Sequence, residues 1–149
     1  MGKTIEIVCG LPASGKTTWA IEERKKDPTN CNILFTDKCN FSNDWFAHIL
    51  KNYLRKFDRM IIDGLFTDND DIFLLLNKLK KSIPKTTFVV HYWALNRKQC
   101  QINDISRGRI KTCLALIEYM ELDNPHEHIG LNRISTIVDH EVFNANLLV

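Results

Sequence analysis

The chain has 149 residues, 44% hydrophobic and 26% charged, with a net charge of +2; that balance fits one soluble globular domain over residues 1–149 and excludes disordered, fibrous and disulfide-stapled classes. So small a charge does not announce a nucleic-acid binder, though it leaves room for a local basic groove. Five cysteines, at positions 9, 31, 39, 100 and 113, form no C-x-x-C pair and no metal spacing, and no apolar run reaches a signal-peptide core or the ~18 residues of a membrane span, so reduced thiols, a cytoplasmic location and no membrane contact are expected.

Short apolar runs alternate with longer segments of helical period, the pattern of βαβ units around a parallel sheet. Strands are predicted at Thr4–Cys9, Ile33–Thr36, Arg59–Asp63, Thr87–Trp93 and Ile134–Val138. Glu6 is awkward inside a buried central strand and is expected toward its exposed end. A helix over Lys16–Lys26 should stop at Asp27-Pro28, because proline disfavours the α conformation of the residue before it. A second helix begins at a Ser42 cap and carries Trp45, Phe46, Ile49, Leu50, Tyr53, Leu54 and Phe57 on one face. From about Asp68 a third repeats the stripe through Ile72, Phe73, Leu75, Leu76 and Leu79 before Pro84. Two more, Arg97–Ile105 and Lys111–Glu121, are broken by Ser106-Arg107-Gly108-Arg109. The apolar stripes are core, since they lie where helices must cover a sheet. The fold class expected is a three-layer α/β arrangement, a five-stranded parallel sheet flanked by helices.

Gly10-Leu11-Pro12-Ala13-Ser14-Gly15-Lys16-Thr17 matches G-x-x-x-x-G-K-[ST], follows the first strand directly and opens the first helix. Glycines let backbone N–H groups turn onto phosphate oxygens, and a helix N-terminus adds partial positive charge. Gly10, Pro12, Ala13, Ser14, Gly15, Lys16, Thr17 and Thr18 are therefore expected around a nucleoside triphosphate such as ATP. On this solvent-facing loop Lys16 supplies a point charge to the β- and γ-phosphates and Thr17 a hydroxyl for Mg²⁺.

Arg59-Met60-Ile61-Ile62-Asp63-Gly64 reads as a buried strand ending in a carboxylate, so Asp63 is a second candidate for the Mg²⁺ site, or the start of an ordinary Asp-Gly turn. Asp37 follows the second strand, and ligands of open parallel sheets bind beyond the strands' carboxyl ends. An alcohol acceptor needs a carboxylate to take its proton, which makes Asp37 the candidate general base, the alternative being a turn cap. Arg107 and Arg109, with Lys111, stand in a polar break able to close as a lid over the triphosphate; a solvated loop is the bland reading. His126-Glu127-His128 lacks an evident third ligand and reads as a surface loop.

The stretch from Gly10 to Ala20, including Thr18-Trp19-Ala20, resembles the small P-loop kinases that include the 5′-kinase domain of phage polynucleotide kinase and the zeta-toxin-like and chloramphenicol-phosphotransferase-like enzymes. The likeness spans roughly residues 4–110 by order of elements. It implies a P-loop NTPase fold, ATP with Mg²⁺, the general base at Asp37, the strand-three aspartate at Asp63 and a lid arginine at Arg107. On the acceptor side the chain departs from the family: Asn40 and Asn103 stand where arginines are expected. The leading acceptor is a polynucleotide 5′-hydroxyl; a nucleoside or nucleotide, a hydroxymethylated base in DNA, a small alcohol, or no acceptor at all, as in an ATPase module, are the alternatives.

Overall fold

The computed structural model describes residues 2–36 and 44–145. Asp37, Cys39, Asn40, Ser42 and the side chain of Trp45 lie outside the described residues. Strands β1 (Lys3–Cys9), β2 (Cys31–Phe35), β3 (Arg59–Phe66), β4 (Thr86–Trp93) and β5 (Thr136–His140) form one parallel sheet in the order β2-β3-β1-β4-β5. Between them run α1 (Lys16–Lys26), α2 (Asp44–Tyr53), α3 (Asn69–Ser82), α4 (Arg97–Ser106), α5 (Leu114–Tyr119) and α6 (Ile129–Ile134). No helix among the described residues is long and apolar enough to cross a membrane.

Alternation along β1 divides the core. Ile5, Ile7 and Cys9 face a layer in which Leu50 of α2, Ile72, Leu75, Leu76 and Leu79 of α3, and Leu131 of α6 are buried. Val8 faces the opposite side, against Ala20 and Trp19 of α1. Helices thus cover both faces, the three layers expected from the sequence. Local signals set the ends: Asp68 caps α3 by accepting from Asp71 N, Asn96 caps α4 by accepting from Gln99 N, and α1 ends at Asp27 before Pro28.

Three departures from the sequence reading have physical causes. Glu6 is not at an exposed end: it is 4% exposed, and Arg59 and His91 surround it. The fifth strand starts at Thr136, because Ile134 ends α6 and the chain first becomes extended at Ser135. The helix expected over Lys111–Glu121 shortens to Leu114–Tyr119, where Arg97 takes the carbonyls of Ile117 and Met120 and so closes its C-terminal end. Cys9, Cys31, Cys100 and Cys113 are free thiols.

Candidate functional site

The phosphate-loop sequence sits at the carboxyl end of β1, the middle strand of the sheet. Gly15 enters α1 at φ 100°, a left-handed conformation that a side chain resists, and a Cβ there would meet Phe143 Cβ at 2.8 Å. Glycine is therefore required twice over at this point. Ala13, at φ 65°, holds the same strained region without glycine's freedom.

A cleft of about 480 Å³ opens above the loop, lined by Pro12, Ala13, Gly15, Lys16, Thr17, Thr18, Arg107, Arg109 and Cys113. Most of the residues expected to bind nucleotide converge there. Gly10 and Ser14 do not line it: both are buried behind the loop, Ser14 at 1% exposure, and a Cβ on Gly10 would approach Ser14 Oγ and Trp93 Cβ to 3.0 Å each. Lys16 is likewise buried, 8% exposed instead of solvent-facing, and its Nζ donates to the Leu11 carbonyl at 3.1 Å. Burial pushes its pKa down, with Asp63 acting in the opposite sense.

A second cleft, about 340 Å³, shares Pro12, Lys16 and Thr17 with the first and adds Phe35, Thr36, Asp63, Gly64 and Leu65. Its far wall arises from a break in strand register. Ile7 pairs with Ile62, yet Cys9 pairs with Phe66, so β3 bulges out across Asp63–Leu65 and runs past the predicted end. Thr17 and Asp63 thus border one space beside Lys16. An exposed hydroxyl and a carboxylate are hard oxygen donors of the kind Mg²⁺ takes, so these two residues fit that ion.

Arg107 and Arg109 are both exposed and hang from the end of α4. Gly108 turns the chain between them at φ 64° with nothing within 4 Å of where a Cβ would stand, so its requirement is conformational alone. Arg107 also borders a third cleft with Gly15, Thr18 and Phe143, and its charge is felt at Lys16. Lys111 is exposed and lines none of these three clefts. The break is longer than expected, from Arg107 to Cys113, and its far end is pinned where Cys113 N donates to Asp104 Oδ2 at 2.8 Å.

Asn103 is no lid residue. It is 4% exposed, and its amide donates to the carbonyls of Ala13 and Phe143 while accepting from Gln99 Nε2 and Ala145 N. Sequence reading missed this role and that of Asp104, although a signal exists: counted from Cys100, the inner face of α4 falls at positions 103 and 104, where polar residues stand. His126, Glu127 and His128 converge on nothing. His126 pairs with Asp139, whereas His128 Nδ1 accepts from Leu131 N to cap α6 and its Nε2 meets Asp70 at 3.1 Å. Among the described residues no group of three or more His, Cys, Asp or Glu could hold a metal ion.

No protein-family model matches the chain, and no curated protein matches it. Among solved structures it is similar to a gluconokinase from Sinorhizobium meliloti 1021, with a TM-score of 0.55 at 12% identity, over 99% of this chain and 86% of that one. The protein APE1195 gives a TM-score of 0.49 at 14% identity, over 89% of this chain and 90% of that one. The first likeness shows the fold: a five-stranded parallel α/β arrangement of the P-loop NTPase kind.

Proposed function

We propose that the protein is a P-loop kinase that moves the γ-phosphoryl group of ATP, with Mg²⁺, to a hydroxyl acceptor. The observation that carries this reading is the pair of clefts meeting at one wall, made by Pro12, Lys16 and Thr17. One cleft is bordered by the two arginines and suits a polyphosphate donor. The other opens at the carboxyl ends of β2 and β3 and suits an acceptor. A γ-phosphate lying along the shared wall would touch the Lys16 charge from either side.

In this reading the acceptor oxygen attacks the γ-phosphorus, the bond to the β–γ bridging oxygen breaks, and ADP leaves. Asp37, the residue after Thr36 of the acceptor cleft, takes the acceptor's proton. Arg107 and Arg109 neutralise charge on the phosphoryl oxygens. Bound Mg²⁺, held through Thr17 and Asp63, would supply further neutralisation of the phosphates. Phe35, 53% exposed at the end of β2, gives the acceptor cleft an aromatic face of the kind on which a base stacks. That favours a polynucleotide 5′-hydroxyl or a nucleoside over a small alcohol without a base.

Labelled ATP offered with 5′-hydroxyl oligonucleotides, nucleosides, mononucleotides and sugar acids tests the reading. Label should move to a hydroxyl of one class and Lys16→Ala should abolish it. Release of phosphate to water at the same rate with every acceptor would instead identify an ATPase module.

A further inference from the structure

A planar trans peptide points its N–H and C=O in opposite directions. A loop that turns the Gly15 N–H inward onto phosphate therefore presents the Ser14 carbonyl outward, while the Ser14 N–H turns back onto the Leu11 carbonyl and leaves the Ala13 carbonyl facing the other way; where such carbonyls are buried they need donors. The described structure supplies them from far along the chain. The Ala13 carbonyl accepts from Asn103 Nδ2 at 2.9 Å, and the Ser14 carbonyl accepts from Phe143 N at 2.9 Å. The same Asn103 amide donates to the Phe143 carbonyl at 2.5 Å and accepts from Ala145 N at 3.2 Å and Gln99 Nε2 at 2.9 Å. One buried side chain thus grips the loop, the strap after β5 and its own helix.

We propose that Asn103 is a positioning residue of the donor site, which fixes the phosphate loop in its anion-binding shape by holding the Ala13 carbonyl and the strap that holds Ser14. The inference rests on the reading of this loop as a phosphate binder. Ala13 is where such support matters most, because its left-handed backbone at φ 65° persists only if its surroundings dictate it. The chemistry is specific to a carboxamide. Two carbonyls require donors from one end and two N–H groups require an acceptor at the other, and aspartate of the same shape offers no donor at all. With the loop released, its N–H groups must be reordered each time an anion binds, and affinity falls by the loss of preorganisation.

The test is binding of ATP and of inorganic tripolyphosphate, each with Mg²⁺, to the full chain well below its melting temperature. Tripolyphosphate has no base or ribose, so it reads the loop alone. Asn103→Asp and Asn103→Ala should raise Kd for both ligands by the same factor, about tenfold or more, the scale on which a buried carbonyl left without a donor acts. KM for ATP should rise with it while kcat falls less. Gln99→Ala removes only the outer brace on the Asn103 oxygen and should raise both constants by about threefold, within the range of a lost neutral hydrogen bond.

Unchanged tripolyphosphate affinity in the Asn103 variants, with only a lower melting temperature, would overturn the proposal in favour of plain structural support. A loss for ATP alone would overturn it too, since the strap would then act on the base or ribose. If the Asn103 variants do not fold, Gln99→Ala decides, and wild-type affinity for tripolyphosphate in that variant rejects the inference. Failure of the wild-type chain to bind either ligand would reject the phosphate-loop reading itself, a separate outcome.

Discussion

Burial takes water from the Lys16 ammonium and lowers its pKa, with Asp63 offsetting part of the effect. An ammonium held this way is a liability to the folded chain and an asset to a bound polyphosphate. Lys16→Met should therefore lower phosphotransfer by about 10²-fold or more while the melting temperature stays level or rises. The Leu11 carbonyl still accepts from Ser14 N in that variant. Calorimetry beside initial rates checks both halves, and wild-type turnover would end the assignment. Asp37→Asn keeps shape and loses basicity, so kcat should collapse with nucleotide Kd nearly unchanged. Equal loss in both measurements would make Asp37 a structural residue.

At the scale of elements, α4 and the break after it act together. Its last turn is buried through Asn103 and Asp104, its continuation bears exposed Arg107 and Arg109, and the far end is tied back at Cys113. Backbone bonds from Arg107 N and Gly108 N to the end of α4 fix where this segment leaves the helix, so its exposed arginines project from a defined point. Arg107 borders two of the clefts and is felt at Lys16, whereas Arg109 borders one. Arg107→Ala should consequently lower kcat the more, with KM for ATP little changed, and Arg107→Lys should recover only a small part because the planar fork is lost. Steady-state kinetics of the three variants, Arg109→Ala included, decide it; a larger defect in Arg109→Ala would reverse the assignment.

Across the whole molecule, one polar chain ties five elements, four strands of the sheet and α1. Arg59 of β3 joins Glu6 of β1 to Glu23 of α1, His91 of β4 donates through Nε2 to Glu6 at 2.6 Å, and His91 Nδ1 meets His140 Nε2 of β5 at 2.8 Å. Trp93 stacks on His140 with ring centroids 4.2 Å apart. Burial acts to raise the Glu6 pKa, but hydrogen bonds from His91 and Arg59 outweigh it and hold the carboxyl below its ordinary 4.5. For His140, burial and then the neighbouring His91 press the pKa below 6.5, against Asp139 and Glu23. Both depressions mean that unfolding takes up protons in acid. His140 thus contributes stability that is full above about pH 6.5 and declines below it, and Glu6 contributes stability that is full above its ordinary value and is lost as pH falls through the lower folded one. Melting temperatures measured from pH 8 to about 2.5 should fall in those two stages, the second below pH 4.5, and His140→Asn should flatten the first. A wild-type melting temperature that is level between pH 7.5 and 5.5 would contradict the role given to His140.

Whatever depends on neighbours in the chain was legible in the sequence. The lysine motif spans eight consecutive residues, α1 has the limits its proline and loop dictate, and the stripe from Ile72 to Leu79 must face a sheet because 3.6-residue periodicity leaves it one side to bury. The β-α alternation likewise determined a parallel sheet, since parallel strands need crossovers. Only the tertiary structure decided which distant partners the buried polar residues would meet. Glu6 looks misplaced until Arg59 and His91 arrive from 53 and 85 positions away. Asn103 reads as an absent arginine until it meets Ala13 across 90. The bulge that brings Asp63 beside Lys16 is a mismatch between two strands and is written in neither alone. Hydrophobic burial is enforced residue by residue along a repeating pattern, whereas a buried polar group is tolerated only where a particular distant partner satisfies it, and no local period encodes that partner.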